Sequence, residues 1–267
     1  MKFKHWLLER YPRVSQVGGL LVILISAAAL IGWFAEHPAL RGIHPAYIPM
    51  APNTAVVFVL LGTALIIPGK RSLSWPWLSR AAILVAAVFI VARMGEYLTS
   101  LELRVDHWLF QFPSETLGLA PVGKMAFLTA LTFLLLSGSM LLLTWPKRWF
   151  SRLGHALSIV VTFIGLIFCL GYLYGAPLMY SGRSIPMALN TALCFLIAGS
   201  GLVIKGSCRN AEERQAAREA LQRAHAELED RVRARTAELE QQQQYLRAIV
   251  ETSPNQYSSR MLRDNLR

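Results

Sequence analysis

The sequence predicts an all-α membrane protein: six transmembrane helices forming three repeated hairpins, followed by a long cytoplasmic coiled-coil helix. Three observations carry this. Of 267 residues, 54% are hydrophobic and 16% charged, where an ordinary soluble domain carries about 25% charged residues; mean hydropathy is +0.40. Six apolar runs approach the ~20 residues a helix needs to cross a bilayer core. A short motif recurs at the start of every second run. Gly, Pro and Cys counts of 18, 13 and 3 are ordinary, which excludes collagenous and disulfide-framework classes.

The spans fall at 16–35, 50–68, 81–99, 125–145, 154–174 and 187–204, inside a membrane domain covering 1–206. The first run follows a basic start from Met1 to Arg13. It is longer than the roughly 7–15 apolar residues of a signal peptide, so it reads as an uncleaved anchor.

The net charge of +11 does not indicate nucleic acid. Residues 1–204 carry 15 Lys/Arg against 6 Asp/Glu, and residues 205–267 carry 12 against 10. The excess therefore lies between apolar runs, where it sets topology. Lys2, Lys4, Arg10, Arg13, Lys70, Arg71, Arg80, Lys147, Arg148, Arg152, Lys205 and Arg209 fall on one side. Arg41, Arg104, Lys124 and Arg183 fall on the other. Both termini are expected in the cytoplasm, with the lipid bilayer as the principal partner.

Cys169 and Cys194 lie within spans and Cys208 just beyond the last. No Cys/His cluster suggests a metal. The six histidines avoid the middle of every span, which argues against a haem held between helices. No cofactor is expected.

The recurring motif opens the second span as Met50-Ala-Pro-Asn-Thr-Ala-Val-Val-Phe58. The fourth begins Met125-Ala-Phe-Leu-Thr-Ala-Leu-Thr-Phe133, and the sixth Met187-Ala-Leu-Asn-Thr-Ala-Leu-Cys-Phe195. Four residues past each Phe stand Gly62, Ser137 and Gly199. Small residues at this spacing let helices approach closely in lipid. Asn53 and Asn190 sit where an amide could cap a first turn, bond to a neighbouring helix or line a ligand pocket. Gly171 and Gly175 form a GxxxG, a weak helix-pairing signal.

Arg93 and Glu96, three residues apart in the outer part of the third span, share a helical face and can pair. The longest outer connection follows and holds Glu102, Arg104, Asp106 and His107. An intramembrane ion pair beside such a loop is a candidate for signal or ligand detection, so Arg93, Glu96, Asp106 and His107 join Asn53 and Asn190 as candidate sensing residues. A fixed interfacial salt bridge, with Tyr97 and Trp108 as belt aromatics, is the plainer reading. No catalytic constellation is present.

The composition changes near Asn210 to Ala, Glu, Arg, Gln and Leu, all good helix formers. Leu221, Leu228, Val232, Leu239, Leu246 and Ile249 follow a heptad seam, interrupted at Arg235 and Gln242. That spacing predicts a parallel homodimeric coiled coil over 207–252.

Glu229-Asp-Arg-Val-Arg-Ala-Arg-Thr-Ala-Glu-Leu239 resembles the signalling helix of bacterial sensor proteins. Leu246-Arg-Ala-Ile-Val-Glu-Thr-Ser-Pro254 is similar to the opening of a PAS domain. The repeated Met-Ala-x-Asn-Thr-Ala span, with Tyr97–Phe110, resembles the membrane input region of PAS-containing sensor histidine kinases and diguanylate cyclases. The likeness covers residues 1–254. It implies two-component or cyclic-dinucleotide signal transduction at the bacterial inner membrane. The family's phosphoacceptor His box, nucleotide loops and cyclase signature are not found in these 267 residues. The expectation is therefore a non-enzymatic input module, with 253–267 a truncated PAS start or disordered tail. A small transporter or channel, and a scaffold recruiting a partner through the coiled coil, are the alternatives.

Overall fold

The protein's structure, a computed structural model, describes residues 2–44, 47–67, 75–99, 116–117, 120–145, 147–175 and 185–264. Two compact units, Met1–Ala211 and Glu212–Arg267, make up the chain. The helices are α1 Lys2–Phe34, α2 Pro38–Gly42, α3 Pro52–Ile66, α4 Trp75–Thr99, α5 Phe127–Thr144, α6 Arg148–Leu173 and α7 Leu189–Asp264. A minimal antiparallel hairpin, β1 Thr116–Leu117 with β2 Ala120–Pro121, is the one addition to the all-helical expectation among the described residues.

Five helices are long and apolar enough to cross a bilayer: α1, α4, α5, α6 and the opening of α7. This is a multi-pass membrane protein. The second expected span, 50–68, is shorter than anticipated. Helix α3 starts with Pro52 at its first position and ends at Ile66, with Ile67 extended (φ −67°, ψ 115°). Ile67 precedes Pro68, and a residue before proline is pushed out of the α region. Fifteen residues rise only about 22 Å, short of the ~30 Å hydrocarbon core. Helix α3 tolerates this because neighbouring helices enclose it: ten of its fifteen residues are buried.

In the first unit α1 packs on α3, α3 on α4, α4 on α5 and α5 on α6. Helices α6 and α7 meet backbone to backbone. A Cβ at Gly165 would stand 2.6 Å from the Leu196 nitrogen, and one at Gly199 would stand 2.9 Å from the Thr162 nitrogen. Ser26 Oγ and Cys194 Sγ, 4.0 Å apart, join α1 to α7. At the centre lie Phe58, Phe133 and Phe195, all fully buried. Their ring centroids are 4.5, 4.8 and 4.7 Å apart in tilted or edge-on contacts, the geometry aromatic pairs favour. Each is the Phe of the repeated motif, and Ala55, Ala130 and Ala192, three residues earlier, are equally buried. The motif thus supplies the buried residues through which α3, α5 and α7 meet.

The GxxxG does not lie within one helix, since α6 ends at Leu173. Gly175 lies beyond α6 with φ +67°, and its N–H donates to the Tyr172 carbonyl at 3.1 Å, closing the helix.

In the second unit α7 is solvated. Leu221, Leu228, Val232, Leu239, Leu246 and Ile249 are all exposed in the single chain. Arg231–Glu227 at 2.5 Å, Arg235–Glu238 at 2.7 Å and His225–Glu229 at 3.1 Å pair along the helix surface. The segment from 253, expected as a PAS start or disordered tail, is helical through Asp264. Met261, Leu262 and Arg263 are strong helix formers, and extending an existing helix avoids the cost of nucleation.

Candidate functional site

The inner helices α3 and α5 start in the same way. The residue before each, Ala51 or Ala126, has extended backbone (φ −63°, ψ 143°; φ −68°, ψ 148°) and makes no side-chain cap bond. Its carbonyl accepts the first helical bond, from Ala55 or Ala130; Ala188 does the same for α7, accepting from Ala192. One residue earlier stand Met50, Met125 and Met187, all fully buried. Their carbonyls precede the helical ladder, and a buried carbonyl left without a donor is costly. In each case the donor is an aromatic side chain from the last turn of the preceding long helix. Trp33 Nε1 donates to Met50 O at 2.8 Å. Tyr97 Oη donates to Met125 O at 2.6 Å, and Tyr172 Oη to Met187 O at 2.7 Å. Three aromatic latches therefore tie the outer helices α1, α4 and α6 to the starts of the inner ones.

The middle latch differs from the other two. Tyr97 is 36% exposed, while Trp33 and Tyr172 are 3% and 5%. Four residues before each donor stand Ala29, Arg93 and Phe168, so Arg93 holds a position that is apolar in α1 and α6. It is 6% exposed. Its Nη1 donates to Glu96 Oε2 at 2.6 Å. Its Nη2 donates to Tyr97 Oη at 3.1 Å and to Met125 O at 3.5 Å. The guanidinium lies 4.3 Å from the Tyr97 ring centre, a cation–π distance. A charge buried this deeply is tolerated only when paired and hydrogen-bonded, and Arg93 has both.

Arg93 and Glu96 thus come together. Asn53 and Asn190 are buried, each the second residue of its helix rather than its cap. Asn190 Nδ2 donates outward to Arg41 O at 3.5 Å, a carbonyl that also receives the Met50 N–H at 3.0 Å. The Arg41 guanidinium stacks 4.6 Å from the Trp33 ring. Asp106 and His107 lie outside the described residues. The seam residues are spread along the exposed face of α7. Among the described residues no group of three His, Cys, Asp or Glu is placed to hold a metal.

Two features escaped the sequence reading. The latches pair a side chain with a main-chain carbonyl across connections of unequal length, 17, 28 and 15 residues apart. No fixed spacing announces them; the only signal is an aromatic donor ending each outer helix. The second feature is at the opposite ends of α5 and α6. Arg209 of α7 donates to the Leu143 carbonyl, and to Trp145 O at 2.6 Å, closing the C-terminus of α5. Beside it Ser151 Oγ donates to Asn210 Oδ1 at 3.4 Å. Both residues of α7 lie at the edge of the first unit.

Comparison with protein-family models, with curated proteins and with solved structures returns no match.

Proposed function

We propose that this chain is the membrane-embedded input module of a bacterial signal-transduction sensor. It lies in the inner membrane with both termini cytoplasmic and relays a change among three hairpins to a dimeric signalling helix. The observation that carries the reading is helix α7, in which one helical segment supplies both Phe195 of the buried ring and the heptad seam from Leu221 to Ile249. The resemblance of Glu229–Leu239 to the signalling helix of sensor histidine kinases and diguanylate cyclases supports the same reading. The mechanism is a rotation or register shift of that helix against its partner, a two-state change of a packed element. Arg235 and Gln242 weaken the seam and keep the two registers close in energy. Arg93, Glu96 and Tyr97 are the residues that bias the middle hairpin, and the 267 residues carry the input and relay rather than the output chemistry.

The reading is tested by fusing residues 1–252 to a histidine-kinase catalytic core and inserting one to seven residues after Gln215. Autophosphorylation in membranes is expected to vary with insertion length and to return to its starting level at seven. Output that is flat across the series would contradict helical transmission.

A further inference from the structure

The turn between α5 and α6 presents a dense group of unused cations. Lys147, Arg148 and Arg152 are exposed, and among the described residues none of them makes an ion pair or side-chain hydrogen bond. At the end of α5 it is Arg209, not these cations, that reaches the Leu143 and Trp145 carbonyls. Helix α6 gives them no role either: Lys147 and Arg148 stand at its start and Arg152 just past its first turn, which holds no acidic residue, and the helix dipole disfavours positive charge there. The sequence from Thr144 to Asn210 contains no Asp or Glu.

The same turn carries two tryptophans at the surface, Trp145 at 53% and Trp149 at 75% exposure. Trp145 is braced edge-on against Phe150 at 4.9 Å, and Ser151 is fully buried against α7. Indoles favour the headgroup level of a bilayer. Cations at that depth attract anionic lipid.

From this we infer that the α5–α6 turn binds the headgroups of anionic phospholipids. Lys147, Arg148 and Arg152 take the phosphates, and Trp145 and Trp149 seat the turn at the interface. Arg209 and Ser151 fix this surface to α7, so lipid occupancy acts at the point where α7 leaves the bundle. The lipid site itself does not depend on the sensor reading.

The experiment uses the full chain, delipidated in detergent and titrated with phosphatidylglycerol or phosphatidylcholine under native mass spectrometry. Wild type should retain phosphatidylglycerol preferentially. Lys147→Gln/Arg148→Gln/Arg152→Gln should weaken retention by at least about tenfold, given the attraction each cation near the surface supplies. Lys70→Gln/Arg71→Gln/Arg80→Gln, which removes equal charge elsewhere, should change it little. Equal loss in both triple variants, or phosphatidylcholine held as well as phosphatidylglycerol, overturns the proposal. If the first triple variant does not fold, a photoreactive phosphatidylglycerol on wild type decides: labelling of residues 145–153 is expected, and labelling confined elsewhere overturns it.

Discussion

The Tyr172 hydroxyl donates to the Met187 carbonyl at 2.7 Å, fastening the end of α6 to the start of α7. The same relation joins Trp33 to Met50 and Tyr97 to Met125. Removing the donor while keeping the ring isolates this bond. Tyr172→Phe should cost about 1–3 kcal/mol, the penalty for stranding a buried acceptor. Tyr97→Phe should cost less, because Tyr97 is partly exposed and Arg93 also reaches the Met125 carbonyl. Unfolding in mixed micelles checks the order; a larger loss for Tyr97→Phe would contradict it.

The triad of Phe58, Phe133 and Phe195 shares one volume, so truncations there should not add. Phe133→Ala should destabilise by about 3–5 kcal/mol through the cavity it leaves. Adding Phe195→Ala should cost less than the two single losses summed, since their centroids are 4.7 Å apart and touching residues couple. Strict additivity in a double-mutant cycle would argue against a shared core.

Two glycines give opposite outcomes. Gly199→Ala places a methyl 2.9 Å from the Thr162 nitrogen, so α6 and α7 must separate and the bundle should lose stability. A Cβ at Gly95 meets nothing within 4 Å. Gly95→Ala should be neutral or stabilising by up to about 1 kcal/mol through helix propensity. Thermal melts should place Gly199→Ala below wild type and Gly95→Ala at or above it, and a loss in both would contradict the packing described.

The ion pair on α4 predicts asymmetry. Glu96→Gln leaves Arg93 buried with its partner charge removed and should be clearly destabilising. Arg93→Leu/Glu96→Gln restores the apolar character that Ala29 and Phe168 have in α1 and α6. It should be more stable than Glu96→Gln alone. A double variant no better than the single one would mean the pair does not govern that position.

Much of this was legible in the sequence, for definite reasons. The Met-Ala motif fixes residue type and spacing within one helix, so its burial pattern follows from helical periodicity. Arg93 and Glu96 were readable as a pair because three residues bring side chains together on any helix. Helix α3 is shorter than its apolar run because Pro52 and Pro68, not hydropathy, set its limits. Asn53 and Asn190 suggested caps, but the extended residue before α3 is Ala51, and Asn190 bonds to Arg41 in another connection. The latches and the Arg209 contacts join distant segments through main-chain carbonyls, which no side-chain pattern encodes.

The proposed pairing of α7 with a second copy, in parallel along its heptad seam, can be tested directly. Single cysteines at Leu228 and Leu239, compared with Asp230 and Ala237 on the opposite face, test it in native membranes with Cys169, Cys194 and Cys208 replaced. Oxidation should cross-link Leu228→Cys and Leu239→Cys into dimers and leave the other two monomeric. Cross-linking at Asp230→Cys and Ala237→Cys but not at the seam would contradict it.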